Sequence, residues 1–186
     1  MDRGLYDSWV RIRDTFRPNT VAAWHDTAAL EWCAKWMGQG PGIVWTEHSL
    51  FAERLSRETG HPYFGPEGLD AQGGPIEGAH GPVIASVQAN GTGRNLQRWH
   101  RNLITAPSPL AATWEQLLGR THREGQAADD VEVDVLLGCQ EHGDAWVRAL
   151  SGAQAAVDTM GDTQKILVGE KLMPQTNIRG HRWNKA

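Results

Sequence analysis

Two stretches of this chain combine residue types at spacings that could act on phosphate. The first runs Ser86-Val87-Gln88-Ala89-Asn90-Gly91-Thr92-Gly93-Arg94-Asn95-Leu96-Gln97. Two glycines around a threonine let the backbone come close to a ligand and aim N–H groups at an anion. The second is Trp114-Glu115-Gln116-Leu117-Leu118-Gly119-Arg120-Thr121-His122-Arg123-Glu124-Gly125-Gln126. Arg120 and Arg123 lie three apart, so on one helical turn they would point the same way. Two converging guanidiniums offer planar forks of donors that match phosphate oxygens. Each stretch has a plainer reading as well. Gly-Thr-Gly occurs in ordinary turns, and the arginines could pair with Glu115 or Glu124 as a solvated basic patch.

Taken together, the order, spacing and wording of the two stretches resemble motifs V and VI of superfamily 2 helicases, especially the SWI/SNF-type translocases. Motif V there reads as a serine, a short apolar stretch, then Gly-Thr-Gly-x-Asn-Leu-Gln. Motif VI reads Gln-x-x-Gly-Arg-x-x-Arg-x-Gly-Gln, and Gln116, Gly119, Arg120, Arg123, Gly125 and Gln126 fill every fixed position. Gly42-Ile43-Val44-Trp45-Thr46-Glu47-His48, ahead of a helix, looks like the looser motif IV. The resemblance runs from about Gly42 to Leu137, roughly half the chain. The compact stretch from Gly42 to Gly65 is similar to helicases carried by bacteriophages.

What the resemblance implies is an α/β fold: a single RecA-like domain with a mostly parallel sheet flanked by helices. It implies ATP with Mg as cofactor, held mainly by a facing P-loop RecA-like domain in cis or in trans. Arg123 would be the arginine finger that reaches the γ-phosphate, a device that contributes about 10³–10⁵ in rate in comparable systems. Arg120 would touch the same nucleotide or support the finger, and Gln116 would orient the pair. Gly91, Thr92, Gly93 and Gly119 would lie against the nucleotide. Ser86, Thr92, Asn95, Gln97, Arg98 and Arg101 would meet the phosphates of DNA, with RNA as the open alternative.

Two departures from the family stand out. Arg94 occupies a position that is apolar in the SWI/SNF pattern, and residues 65–82 replace a longer segment that usually carries a helix. A complete motor also needs Gly-x-x-x-x-Gly-Lys-Ser/Thr and an acidic Asp-Glu box for magnesium. Gly161-Asp162-Thr163-Gln164-Lys165 lacks the second glycine, and Asp129-Asp130 reads as a solvated turn. Alone, this chain is not expected to hydrolyse ATP. Three accounts stay open: half of a split motor completed in trans, a piece of a longer helicase, or a catalytically inactive module that binds nucleic acid or regulates a helicase.

The elements that must position these residues can be read from apolar runs and breakers. Thr20 or Asn19 is a candidate cap for a helix with Trp24, Ala28, Trp32 and Trp36 at four-residue intervals, ending near Gly38 to Gly42. Ile43 to Trp45 predicts a buried strand, Ser49 to Thr59 a helix, and His61 to Phe64 a second short strand. The Gly- and Pro-rich residues 65–82 read as loop. Val83 to Val87, Asn102 to Thr105 and Val131 to Leu137 predict three more strands, with helices over Leu110 to Leu118 and Ala145 to Met160. Such alternation implies a parallel sheet covered on both faces, with ligands expected at the carboxyl ends of its strands. The domain plan is a helical lead-in over residues 1–41, the RecA-like domain over 42–172, and a basic, flexible tail over 173–186.

Bulk properties bound the rest. With 18 basic against 22 acidic residues the formal net charge is −4, so nucleic acid must be met by a local patch and not by overall charge. No run approaches the roughly 20 apolar residues of a membrane span. Met1 to Tyr6 lacks the apolar core of a signal peptide. A cytoplasmic protein is expected, in the host cytoplasm if phage-encoded. Cys33 and Cys139 lack CxxC spacing and read as reduced thiols, and no metal site is expected. The histidines are dispersed, and His122, inside the motif VI stretch, is the one to mark.

Overall fold

The computed structural model describes residues 3–16, 21–65, 67–91 and 93–172. Its strands are β1 (Ile43–Thr46), β2 (Tyr63–Phe64), β3 (Val83–Ser86), β4 (Arg101–Ile104) and β5 (Glu132–Val135). They form one sheet in the order β2-β3-β1-β4-β5, and every pairing is parallel. The chain is therefore α/β with a parallel sheet flanked by helices, the fold class expected of a RecA-like domain. Parallel strands demand crossovers, and these cover both faces.

Side-chain alternation splits the core in two. Ile43, Trp45, Val83, Ala85 and Ile104 face α5 (Ala111–Thr121), α6 (Gln140–Met160) and α7 (Lys165–Leu172), packing on Trp114, Leu117, Ala149, Ala153 and Ile166. Val44, Ile84 and Leu103 face α2 (Ala28–Met37) and α3 (Ser49–Thr59), meeting Leu30, Cys33, Trp36, Met37, Ala52 and Leu55. The Trp36 indole also donates to Asp134 Oδ2 at 2.7 Å, which ties α2 to the edge strand β5.

One polar residue inside the sheet fixes a helix end. Asn102 is fully buried, accepts from the Trp45 indole at 3.0 Å, and donates to Thr121 Oγ1 and the Glu132 carbonyl at 3.2 Å each. Both faces of its amide are satisfied, as burial requires. The last turn of α5 is thereby held at the start of β4.

Several boundaries differ from expectation. The helix carrying the tryptophan repeat begins at Ala28, not near Asn19 or Thr20, which lie outside the described residues. Asp26 Oδ1 accepts from the Ala28 N–H at 3.0 Å, a local turn that starts the helix there. Trp24 stays off the helix and lies beneath the Arg54 guanidinium at 4.3 Å. Strand β3 stops at Ser86, and Val87–Asn90 form a helical turn, α4, because Asn90 Nδ2 reaches back to the Ser86 and Phe64 carbonyls. Within residues 65–82, Ile76–Gly78 form a 3-10 turn that buries Ile76. Helix α6 starts five residues earlier than expected and carries Gly143 in its first turn. Helix α7 was not anticipated at all. An amphipathic helix α1 (Arg3–Ile12) precedes these elements and exposes Leu5, Tyr6, Trp9 and Ile12. Residues 173–186, where the basic tail was expected, lie outside the described residues.

Candidate functional site

The two motifs meet through a single side chain. Arg120, in the last turn of α5, donates from Nε to the Gly91 and Gln116 carbonyls, both at 3.1 Å, and from Nη1 to the Arg94 carbonyl at 3.3 Å. The Leu96 N–H returns a bond to the Arg120 carbonyl at 3.1 Å. The glycine turn is thus laid along α5 and fastened at both ends. Gly91 is buried there, and a Cβ on it would stand 2.5 Å from the Val87 carbonyl oxygen. Gly93 has φ +73°, a conformation that side chains disfavour. Thr92 lies outside the described residues. Gly119 has open space where a Cβ would be, so local packing does not demand glycine there.

Arg123 is placed differently. Helix α5 ends at Thr121, so the arginines do not share a helical turn, contrary to the reading from their spacing. Arg123 is exposed and its side chain has no hydrogen-bond or ion-pair partner among the described residues. The loop beneath it is held firmly. Gln126 Nε2 donates to the Trp99 carbonyl at 3.1 Å and the Thr121 carbonyl at 3.0 Å, while its Oε1 accepts from the Ala128 N–H. The Gln97 amide lies over Gly125, whose φ of +90° and lack of a side chain permit that approach. An exposed cation thus stands on a hydrogen-bonded loop.

The location also differs from expectation. Ligands were expected at the carboxyl ends of the strands, but Thr121 contacts Asn102 near the start of β4, and Gln126 contacts Trp99 just before it. A crossover helix runs antiparallel to the strands it joins, so its last turn returns to their amino ends. Ser86, buried at the end of β3, stands at the carboxyl rim. A cavity at that rim, lined by Glu47, Val87, Ile104 and Trp114, measures about 10 Å³, room for one water and not for a nucleotide.

The remaining expected contacts are scattered. Asn95 and the Gln116 side chain are exposed. Arg98 donates to the Ala79 carbonyl at 2.5 Å. Arg101, at the amino end of β4, donates to the Gly40 and Trp36 carbonyls and to Gln39, and its guanidinium lies 4.3 Å from the Trp36 ring. The structure does not bring Arg101 to the glycine turn. Sequence reasoning missed Asn102, whose signal was an amide inside an apolar run, and the contact of Arg94 with Glu77. Among the described residues, no three His, Cys, Asp or Glu side chains gather as metal ligands, and no helix is long and apolar enough to cross a membrane.

No family model matches the sequence, and no curated protein matches it. Among solved structures, the chain is similar to the C-terminal part of the Fun30 ATPase domain, at 15% identity and a TM-score of 0.46. The match covers 73% of this chain and 49% of that one, so the chain spans about half the length of the structure it matches.

Proposed function

We propose that residues 42–172, with α2 packed against them, are the C-terminal half of an ATP-driven DNA helicase or translocase, working beside a P-loop RecA-like domain in cis or in trans. One observation carries this reading. Arg123 is an exposed guanidinium with no side-chain partner among the described residues, on a loop pinned by Gln126 and Gln97, whereas Arg120 is spent on backbone carbonyls. A fixed base with a free cation is what a donated finger requires, since pre-placed charge stabilises a transition state without reorganisation.

In this reading Arg123 meets charge developing on the γ-phosphate of ATP·Mg, the group whose hydrolysis supplies the driving energy. Arg120 is a positioning residue that locks the glycine turn to α5. Gln116 lends it a carbonyl. Gly93 and Asn95, both exposed beside the turn that Arg120 fastens to α5, form the face toward nucleic acid. The cytoplasm is the proposed site of action.

The test begins with capture of a P-loop protein by the tagged chain from native extract in the presence of an ATP analogue. In the reconstituted pair, Arg123→Ala should lower ATP hydrolysis by about 10³–10⁵ and leave DNA binding nearly intact. Equal loss of both would make Arg123 a structural support. DNA binding without any partner ATPase would favour the inactive binding module.

A further inference from the structure

Arg94 interrupts the glycine turn at a position where the resembled motif is apolar, and the structure gives it an unusual occupation. Its Nη1 donates to both carboxylate oxygens of Glu77, at 3.0 and 2.8 Å. Its Nη2 donates to the Gly68 carbonyl at 3.3 Å and sits where a Cβ on Gly68 would stand. Nε–H and the second Nη2–H have no acceptor among the described residues, since a guanidinium carries five donors and three are used. The Arg94 carbonyl is meanwhile held by Arg120, so the backbone stays put while the side chain is free to change partner. Gly93 and Asn95 on either side are exposed.

The clasp on Arg94 is of a weak kind. The side chains of Arg94 and Glu77 are 22% and 41% exposed, and ion pairs in that setting exchange readily with other anions. The segment that carries Glu77 does not depend on it, because Arg98 holds the Ala79 carbonyl and the Trp99 indole holds the Gly81 carbonyl at 2.7 Å. Ile76, beside Glu77, is fully buried. Opening the pair therefore costs one exposed contact and leaves the fold in place.

We propose that Arg94 is a nucleic-acid phosphate ligand held in reserve by Glu77, and that this carboxylate sets how strongly the glycine turn grips a strand. The proposal rests on the nucleic-acid part of the function given above and is independent of the Arg123 finger. A backbone phosphate displaces Glu77 from Nη1 and takes up the spare Nε–H, exchanging one anion for another at the same fork. In a chain of net charge −4, releasing an arginine at the turn is a direct route to a local positive patch.

The experiment titrates fluorescein-labelled oligo(dT) with the wild-type chain, Glu77→Gln, Arg94→Gln and the double variant, at several salt concentrations. Glu77→Gln should tighten binding about two- to fivefold, the worth of a half-exposed ion pair. That gain should vanish in the double variant, and the double variant should show a log–log salt slope shallower by about 0.7 than Glu77→Gln. Wild-type binding with no gain in Glu77→Gln would overturn the proposal and leave the nucleic-acid reading standing. A gain that persists without Arg94 would also overturn it, since general charge would then be the cause. No binding by any of the four would remove both readings.

Discussion

Replacing Arg120 by alanine and, separately, Arg123 by alanine should separate a fastener from a finger by stability alone. Arg120→Ala removes the bonds to the Gly91 and Arg94 carbonyls, and the Gly91 carbonyl belongs to a buried residue. The bond to Gln116 is local to α5 and can be replaced by water. Bonds from a charged donor contribute about 1.5–3 kcal/mol each when shielded, and the half-exposed guanidinium calls for discounting that to about 1–1.5. Two such losses destabilise by about 2–3 kcal/mol, which lowers Tm by about 5–10 °C in a domain of this size. Arg123→Ala removes no side-chain partner among the described residues and should stay within about 0.5 kcal/mol of wild type. Thermal and urea unfolding followed by tryptophan fluorescence reads both, since Trp45, Trp99 and Trp114 are buried in the core. An Arg120→Ala protein that melts within about 1 °C of wild type would refute the fastening argument. An Arg123→Ala protein that falls as far as Arg120→Ala would refute the claim that Arg123 is free.

Gly91→Ala forces a methyl against the Val87 carbonyl and should destabilise by about 1–3 kcal/mol, whereas Gly119→Ala meets no neighbour and should be neutral or slightly stabilising in the same unfolding assay. Burial pushes the Cys33 thiol up to about 12, so native protein at pH 8 should expose one reactive thiol, Cys139, to Ellman's reagent and two only after unfolding. Because the folded state retains the Cys33 proton longer than the unfolded chain, its contribution is complete below about pH 9 and is lost as pH rises toward 12. Cys33→Ala should therefore show a shallower alkaline loss of stability than wild type, by at most about 1.4 kcal/mol per pH unit.

The central strands were legible because Ile43-Val44-Trp45 and Val83-Ile84-Ala85 are apolar runs bounded by glycine and proline, and a strand buried on both faces leaves that mark. Helix α7 left none, since its hold on the domain comes from burial of Ile166 and the pairing of Lys165 with Glu115, fifty residues away in sequence. The motif wording pointed to Arg120 and Arg123, but spacing alone cannot show where a helix stops. That end is set by Thr121 bonding Asn102, a contact between distant residues. The direction of the crossover then carried both arginines away from the carboxyl rim. Arg94 was legible as a departure from a pattern, while its partner Glu77 sat in a stretch read only as loop.

The position of β1 has a bearing on biosynthesis. It precedes its sheet neighbours in sequence and lies in the middle of the sheet, and its partners Val83 and Asn102 follow Ile43 by about 40 and 60 residues. At ribosomal speeds of about 5–20 residues per second, β1 has neither neighbour for several seconds after synthesis. During that interval an apolar strand presents two open edges, the kind of segment that seeks strands on other chains. Production of this domain is thus sensitive to anything that stalls translation between Thr46 and Val83, and a chain cut off within that window should precipitate or remain with a chaperone.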